Sequence, residues 1–276
     1  MIRADMHIHT YCSDGTQSPG YVVSAAKAAG VNLICVTDHD TMGASGEVKR
    51  LAFKAGIRAF DGIEISAYGE VKVHILGYGL NRECAAFKSY YKEAVEGSVA
   101  RCEDTLNRLR ARDIVVPIDD VLAERTVENT PVHSMFICRA AAKLGYAKSA
   151  GEFYLTYLVD GKCAHSRVGR LTPEQAVQTI NACGGWASVA HPGRIALEKS
   201  VKEELISRLK GLGLRGIEAV YSGHTVDETA YYKEIAERYS LLVTGGSDAH
   251  FAAGPRFIGT PEFYPDEKLL SALEKF

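Results

Sequence analysis

The 276-residue sequence predicts an α/β fold in which seven strands, separated by helices, form a closed or nearly closed barrel. Short apolar runs bounded by helix and turn signals recur through two parts of the chain, residues 1–82 and 166–276. Residues of the kinds that bind metals recur near the ends of those runs. Between the two parts, residues 83–165 carry only helical patterns, so we expect a helical insertion domain there.

The first part of the barrel is predicted from four strands and two helices. Residues 32–37 form a continuous apolar run, which is typical of a strand buried on both faces. Ser18 and Pro19 mark a helix start, and Gly30 marks its end. The third and fourth strands are too close for a crossover helix, so we expect an antiparallel hairpin. The expected elements are strands over 2–9, 32–37, 58–65 and 71–78, and helices over 18–29 and 42–55.

The second part of the barrel returns to alternating helices and strands. Thr172 followed by Pro173 is a helix start, and Gly184 with Gly185 ends that helix. The expected strands are 186–190, 216–221 and 241–245, and the expected helices are 172–182, 202–212, 226–239 and 265–275. Within the insertion, we expect helices over 82–112, 118–124, 135–144 and 152–159.

The composition argues against several classes of function. A formal net charge of −2 and a pI of about 6.5 give no basic excess for binding long nucleic acid. No apolar run approaches the roughly 20 residues of a membrane span, so no membrane partner is expected. The seven cysteines are scattered without a C-x-x-C pair, which favours reduced thiols and a cytoplasmic location. We therefore expect a small-molecule partner.

Histidine and acidic residues recur at or near the ends of the predicted strands. His7 and His9 lie two residues apart on the first strand, so their side chains point to the same face. The other residues of this kind are Asp14, His39, Glu64, His74, His191, Asp248 and His250. Functional sites gather at the C-terminal edge of parallel strands, so we expect these side chains to form one site.

The chemistry of this set favours metal-dependent hydrolysis. Imidazole and carboxylate without thiolate suit zinc, manganese or iron, and the set exceeds what one ion requires. A cluster of two or three divalent ions activates water and stabilises displacement at phosphorus, and its positive charge attracts an anionic substrate. A phosphoester is therefore the expected substrate class, with an amide or lactone as an alternative.

Six motifs follow one another along nearly the whole chain outside the insertion. They are Asp5-x-His7-x-His9 with Ser13-Asp14-Gly15, Thr37-Asp38-His39-Asp40, Gly62-Ile63-Glu64, Val73-His74-Ile75-Leu76-Gly77-Tyr78, Ala190-His191-Pro192 and Gly246-Ser247-Asp248-Ala249-His250. With these motifs, the chain resembles the polymerase and histidinol phosphatase (PHP) family of metal-dependent phosphoesterases. The resemblance implies a distorted, TIM-like (β/α)7 barrel and three divalent transition-metal ions, manganese, iron or zinc.

The resemblance also implies how the ligands divide among three ions. The implied sets are His7, His9, Glu64 and Asp248 for the first ion, Glu64, His74 and His191 for the second, and Asp14, His39 and His250 for the third. A bridging hydroxide is the implied nucleophile. Glu64, His191 and Asp248 are the residues that we expect to carry catalysis.

Within the family, the insertion resembles the branch that contains nucleoside 3′,5′-bisphosphate phosphatases, short-RNA 5′ exonucleases and hydrolases of ribose cyclic phosphates. Two matches support this branch, Gly161-Lys162 and Pro192-Gly193-Arg194, and they suggest Lys162 and Arg194 as phosphate-binding residues. Where the branch carries Arg-x-His, this chain has Ser134 and Phe136, which favours another phosphoester, including a cyclic phosphodiester. Glu218 and His224 are candidates for substrate contact, with a solvated polar rim as the alternative.

Several other polar residues have structural alternatives. Asp38 and Asp40 either stabilise a turn or support the imidazole ligands. His133 and His165 are expected at the surface. Arg167 and Arg170 are expected on a solvated face, with an extension of the anion site as the alternative. A non-catalytic, metal-stabilised binding module is the alternative to an enzyme.

Overall fold

Seven strands form one mixed sheet in chain order, as the computed structural model of the protein shows for residues 1–252 and 256–276. The strands are β1 (Ala4–Ile8), β2 (Leu33–Val36), β3 (Arg58–Tyr68), β4 (Lys72–Tyr78), β5 (Trp186–Val189), β6 (Gly216–Tyr221) and β7 (Leu242–Gly246). The first expected strand is shorter than predicted, because it begins at Ala4 rather than at residue 2.

The sheet is nearly closed into a barrel. Neighbouring strands are parallel except on the two sides of β4, which pairs antiparallel with β3 and with β5. The predicted hairpin of β3 and β4 is therefore confirmed. At the other seam, Asp248 N donates to His7 O at 2.7 Å and His9 N donates to Ala249 O at 3.0 Å. These bonds join the residues after β7 to the end of β1, so the fold is the predicted distorted seven-stranded barrel.

Ten α-helices are defined in the described part of the chain, and capping residues explain several of their boundaries. They are α1 (Pro19–Ala28), α2 (Ser45–Ala55), α3 (Ala85–Arg110), α4 (Ile118–Leu122), α5 (Ser134–Lys143), α6 (Ala150–Phe153), α7 (Pro173–Ala182), α8 (Lys199–Gly211), α9 (Val226–Arg238) and α10 (Glu267–Leu273). The Ser18 side chain accepts from Tyr21 N, and Thr172 forms a capping box with Gln175. None of the described helices is long and apolar enough to span a membrane.

The inside of the barrel is packed with large side chains. Met6, Leu33 and Tyr78 belong to one buried cluster that also contains Trp186. Leu269 and Leu273 of α10 pack into the same cluster. Because this cluster fills the barrel, a ligand has access only at an edge of the strands.

Residues 83–165 are helical, as predicted, and have their own buried core. This core is formed by fifteen residues between Cys102 and Ala164, among them Leu106, Phe136 and Phe153. The fourth predicted helix of this region differs in form, because α6 is short and continues as one turn of π-helix over Tyr154–Leu158. The wider π turn brings Tyr154 to the cavity described below.

Candidate metal centre

The nine predicted ligand residues meet at one edge of the barrel. Three groups of their ligand atoms lie within 4.8 Å of one another. The groups are His7, His9, Glu64 and Asp248; His39, Glu64 and His74; and His9, Asp14, His39 and His250. His191 joins them, because its Nε2 atom lies 3.0 Å from Glu64 Oε1.

A close approach of β7 to β1 explains why Asp248 reaches His7. A Cβ atom on Gly246 would lie 2.5 Å from both the N and the Cβ atoms of His7, so only glycine fits here. Two residues later, the backbone of Asp248 is left-handed, with φ of 54°. This turn directs the carboxylate toward the histidines of β1, and its Oδ1 atom lies 3.2 Å from His9 Nε2.

Glu64 is the centre of the cluster. It is fully buried at the middle of β3, and each of its oxygens faces a different set of imidazoles. Oε1 lies 2.7 Å from His74 Nδ1. Oε2 lies 3.2 Å from His9 Nε2 and 3.1 Å from His39 Nδ1. Glu64 therefore has the geometry of a carboxylate that can be shared between two ions.

The segment after β2 places His39 beside Glu64. Glu64 N donates to Asp38 O, and Asp40 N donates to Glu64 O, which extends the parallel pairing of β2 and β3 beyond the strand. The Nδ1 atom of His39 also lies 3.3 Å from Ser66 Oγ. The position of His39 is thus fixed by the backbone of β3.

The two oxygens of Asp248 face different partners, imidazole rings on one side and a phenol and guanidinium groups on the other. Oδ1 faces His7 and His9, whereas Oδ2 accepts from Tyr221 Oη at 3.0 Å. Arg256 and Arg194 contact the same Oδ2 atom, Arg194 at 3.4 Å. The carboxylate therefore connects the histidine cluster to two guanidinium groups.

The imidazoles and carboxylates shift one another's pKa values. Burial opposes the charged form of His9, but hydrogen bonds to Asp248 and Glu64 outweigh it and raise the pKa of His9 to about 10. Burial lowers the pKa of His74 to about 3 despite its contact with Glu64. The pKa of Glu64 is held well below its usual range, because the surrounding histidines outweigh the effect of burial. Without a metal, protons on some of the histidines balance the carboxylates.

The cluster fits divalent ions. Several of its buried atoms have no hydrogen-bond partner among the described residues, namely His9 Nδ1, Glu64 Oε2, His74 Nε2 and His191 Nδ1. Ligand atoms that bind one ion at about 2.0–2.2 Å lie about 3–3.6 Å apart. The contacts of Glu64 Oε2 with His7, His9 and His39, from 3.1 to 3.3 Å, have this spacing. Imidazole with carboxylate is also the donor set preferred by zinc, manganese and iron.

Glu218 supports two of the ligands from below and does not line the cavity. This fully buried carboxylate lies 2.9 Å from His7 Nδ1 and accepts from His191 N at 2.7 Å. A proton on His7 Nδ1 leaves Nε2 free to bind a metal. Both oxygens of Glu218, predicted as a candidate for substrate contact or as part of a solvated rim, are thus engaged inside the protein.

His224 likewise has both ring nitrogens engaged. Its Nδ1 atom lies 3.1 Å from Ala219 O, and its Nε2 atom accepts from Gly193 N at 3.1 Å. It fixes the turn that follows His191, whose own φ of 25° is rare for a residue with a side chain. His224, the other candidate for substrate contact, thus has protein partners at both ring nitrogens and does not line the cavity.

Neither of the aspartates that flank His39 touches an imidazole in the way predicted. Asp38 accepts from Thr10 N, Thr10 Oγ1 and Ser13 Oγ at 2.6 to 2.7 Å, so it holds the loop that carries Asp14. Asp40 accepts from Ser66 N and pairs with Arg170 at 2.7 Å. The expectation that Arg170 lies on a solvated face is wrong, because its side chain is only 12% exposed.

A cavity of about 300 Å³ opens above the cluster. Three cations line its walls, Lys72, Arg194 and Arg256, and of these only Arg194 was predicted from the sequence as a phosphate-binding residue. Lys72 lies two residues before His74 on β4, so strand alternation could have identified it. No local pattern marks Arg256, which follows β7 and precedes α10 in the sequence. Lys162, a predicted phosphate-binding residue, is exposed and does not line the cavity.

The insertion contributes its own side chains to this cavity. His133, the residue before α5, lies 3.3 Å from Asp14 Oδ2, and its ring stacks on His39 with centroids 4.8 Å apart. The prediction that His133 lies at the surface is therefore wrong. The apolar wall is formed by Met135, Tyr154 and Phe251. The cavity thus combines a metal-ligand floor, a cationic side and an apolar side.

Comparisons with known proteins agree with this arrangement. The PHP domain model matches residues 5–145. A 3′,5′-nucleoside bisphosphate phosphatase of Chromobacterium violaceum is 31% identical over 96% of this chain and 93% of its own length. A 5′-3′ exoribonuclease of Haemophilus influenzae is 30% identical over 91% of both chains. A phosphoribosyl 1,2-cyclic phosphate 1,2-diphosphodiesterase of Eggerthella lenta is 30% identical over 89% of this chain and 93% of its own length.

A solved structure supports the fold over the whole chain. A protein of Chromobacterium violaceum, described as an amidohydrolase, superposes with a TM-score of 0.88 at 28% identity and covers 99% of this chain and 96% of its own. The fold and the site together define a metal-dependent phosphoesterase. The chain belongs to the PHP domain family.

Proposed function

We propose that this enzyme hydrolyses a phosphoester of a small phosphorylated nucleotide or ribose. The observation that carries the proposal is the cavity itself, in which Lys72, Arg194 and Arg256 face the same space as the metal-ligand cluster. Guanidinium and ammonium groups beside a divalent cluster attract a phosphate strongly. An uncharged amide or lactone would offer these three cations no charged partner beyond Asp248, which Arg194 and Arg256 already contact.

The proposed metal ligands are the nine residues assigned from the sequence. His7, His9, Glu64 and Asp248 would hold one ion, Glu64, His74 and His191 a second, and Asp14, His39 and His250 a third, with manganese, iron or zinc as the metal. The first set matches one group of mutually close ligand atoms, and the third set matches another group that also contains His9. In the remaining group, His39 stands beside Glu64 and His74, and His191 is assigned to the second ion from its 3.0 Å contact with Glu64 Oε1. Bound divalent ions would supply an activated water and neutralise charge on the phosphate oxygens.

The protein groups around the ligands have distinct proposed roles. Glu64, His191 and Asp248 lie at the floor of the cavity, where they would hold the metal ions in position against the phosphate. Arg194 and Arg256 lie on the far side of Asp248 and would bind phosphate oxygens that point away from the histidines. His133 Nδ1 lies 3.3 Å from both Met135 N and Asp14 Oδ2, and these contacts hold its ring at the wall of the cavity, where it can form a hydrogen bond with a ligand.

The apolar side of the cavity fits the organic part of the substrate. Met135 and Tyr154 come from residues 83–165, which we propose act as a substrate-capping insertion domain beside a catalytic barrel of 1–82 and 166–276. An aromatic ring such as Tyr154 can pack against a ribose or a base. This wall supports a nucleoside or ribose phosphate over inorganic polyphosphate.

Two alternative substrates follow from the relatives. A ribose cyclic phosphate fits the same cavity and is compatible with Ser134 and Phe136 in place of the Arg-x-His of the branch. Short RNA is the substrate class in which Lys162 would have a role, because this exposed residue can contact only a ligand that extends beyond the cavity. We also propose a cytoplasmic location, supported by the seven free cysteines.

A phosphate-release panel tests the proposed function. The purified protein, loaded with manganese, is assayed on nucleoside bisphosphates, ribose cyclic phosphates, short oligoribonucleotides and simple sugar phosphates, with an amide and a lactone as controls. We expect phosphoester turnover only in the presence of metal. Turnover of the amide or lactone without phosphoester turnover would contradict the proposal. Ligand-induced melting shifts without turnover of any compound would indicate a binding module instead.

A further inference from the structure

A second cavity of about 280 Å³ lies between α3 and the loop that precedes α7. None of the nine proposed metal ligands lines it. Its polar lining consists of Asp40, Ser66, Tyr90, Arg101, Arg170 and Gln175, with Glu93 at the rim. Two positively charged arginine side chains thus line one cavity, and each charge needs an anion or hydrogen-bond acceptor nearby.

Close packing of two glycines brings both arginines to this place. A Cβ atom on Gly169 would lie 2.6 Å from Gly97 Cα, so α3 and the loop approach backbone to backbone. Arg101 follows Gly97 by one helical turn, and Arg170 directly follows Gly169. The contact sets the two guanidinium groups on either side of the same space.

Arg101 is a nearly buried cation without an acidic partner. Its residue is 9% exposed, and its Nη1 atom donates to Val168 O at 2.8 Å and weakly to Gly97 O at 3.4 Å. Among the described residues, no carboxylate oxygen lies within 4.0 Å of its guanidinium. Its Nε and Nη2 atoms have no hydrogen-bond acceptor among the described residues either. A buried charge of this kind is costly unless an anion compensates it.

None of the described carboxylates near the cavity forms a direct ion pair with Arg101. Asp40 already accepts from Ser66 N and Tyr90 Oη, and its Oδ2 atom pairs with Arg170. Glu93 is exposed at the rim and accepts from Ser89 Oγ. Burial, together with the neighbouring charge of Arg170, lowers the pKa of Arg101 to about 9, although the charge of Asp40 offsets part of this effect. Within the described part of the chain, Arg101 therefore has no directly paired anion.

We propose that Arg101 and Arg170 form a binding site for a tetrahedral oxyanion of the phosphate and sulfate class, separate from the metal centre. The Nε and Nη2 donors of Arg101 would bind the oxyanion, and Arg170 would share it with Asp40. Tyr90 and Gln175 line the remaining wall, and the cavity has room for a small organic group attached to the anion.

The proposed site has a physical connection to the metal centre. Arg170 pairs with Asp40, Asp40 accepts from Ser66 N, and Ser66 Oγ lies 3.3 Å from His39 Nδ1. An anion that draws Arg170 away from Asp40 would act on the residue that positions a metal ligand. The site itself does not depend on the proposed hydrolytic function, and its test needs no turnover.

Selenate and sulfate binding to the intact protein test the proposal. Crystals of the wild-type protein soaked in selenate should show an anomalous selenium peak between Arg101 and Arg170. Calorimetric titration with sulfate should lose one site, or about tenfold or more of its affinity, in Arg101→Met. Arg112→Met, which changes an exposed arginine at the end of the same helix, should leave sulfate binding unchanged.

Melting temperatures separate an anion site from a purely structural arginine. In anion-free buffer, Arg101→Met should melt at the same or a higher temperature than the wild type, because it removes an uncompensated buried charge. It should also lose the stabilisation that sulfate gives the wild type. An equal drop in melting temperature with and without sulfate would mean that Arg101 only caps Val168 O. Selenate density at the metal centre alone would overturn the proposal even if the variant did not fold.

Discussion

The Oε1 atom of Glu218 lies 2.9 Å from Nδ1 of His7, and both side chains are fully buried. The other oxygen of Glu218 accepts from His191 N at 2.7 Å. One carboxylate under the cluster thus fixes the ring of His7 and the backbone of His191. These two ligands come from opposite sides of the barrel, so Glu218 couples the parts of the chain that must meet for a metal centre to form.

Glu218→Gln should weaken metal binding without unfolding the protein. Glutamine keeps an acceptor for one of the two donors but presents an NH₂ group to the other, so His7 or His191 loses its support. We expect metal affinity to fall by about 10–100-fold. Competition with a chelator measures this, and Glu204→Gln, on an exposed face of α8, is the matched control. Unchanged affinity would mean that Glu218 does not orient these ligands.

Arg256→Met should reduce catalytic efficiency mainly through substrate binding. The guanidinium contacts Asp248 Oδ2 and lines the cavity, so its loss removes charge-assisted hydrogen bonds to a phosphate. We expect kcat/KM for a phosphoester to fall by about 10–100-fold. Arg82→Met, an exposed arginine before α3, should have no effect. A loss of bound metal with unchanged KM would show that Arg256 instead holds Asp248 in place.

Metal loading should release protons at neutral pH. Attraction to the carboxylates outweighs burial and raises the pKa of His9 to about 10, and the pKa of His7 is also raised well above its usual value. The Nε2 atoms of the two rings lie 3.1 Å apart, so one of them accepts and only one ring carries the extra proton across this contact. That ring is protonated in the metal-free protein at pH 7 and must become neutral to bind a metal. We expect release of about one proton per chain, measured as the dependence of the calorimetric binding enthalpy on the ionisation enthalpy of the buffer.

The raised pKa of His9 also makes the stability of the metal-free protein depend on pH. The folded pKa of His9 lies above the unfolded value of about 6.5, so its contribution is complete below that pH and is lost as the pH rises toward 10. The melting temperature of the metal-free protein should therefore fall between pH 7 and 10. No proton release at pH 7, with a flat melting curve over this range, would contradict a protonated ring in this pair of histidines.

Gly246→Ala should destabilise the barrel at its seam. The added methyl group would lie 2.5 Å from the backbone and Cβ of His7, so β1 and β7 would have to separate. We expect a loss of about 1–3 kcal/mol in unfolding free energy, measured by denaturant titration of the metal-free protein. Gly211→Ala, at the end of α8 where a Cβ meets nothing within 4 Å, is the control and should not destabilise.

Local patterns predicted the barrel well. The strands that carry His7, Glu64 and His191 were identified from apolar runs and alternation, and their order and the hairpin of β3 and β4 are confirmed. The start of α2 was placed three residues early, because the turn after β2 continues to Ala44. Residues of moderate helix propensity near the start of a helix do not by themselves define where that helix begins.

The side-chain positions that were predicted wrongly depend on contacts between distant parts of the chain. His133 reaches the site through the packing of the insertion against the barrel, and Arg170 is mostly buried by its pairing with Asp40. No local period encodes either contact. Glu218 was identified as a candidate, but the sequence could not tell which side of the ligands it would occupy. Long-range placement of a side chain depends on how separate elements pack, whereas strand alternation specifies only which residues share a face.

The most direct test measures metal content and phosphoester hydrolysis on one preparation, before chelation, after exhaustive chelation and after return of manganese. Glu64 and the eight other proposed ligands around it are proposed to hold about three divalent ions, so ions should be found in the active protein by elemental analysis. Hydrolysis should disappear with the metal and return with manganese. Full hydrolysis by protein from which the metal has been removed would contradict the account.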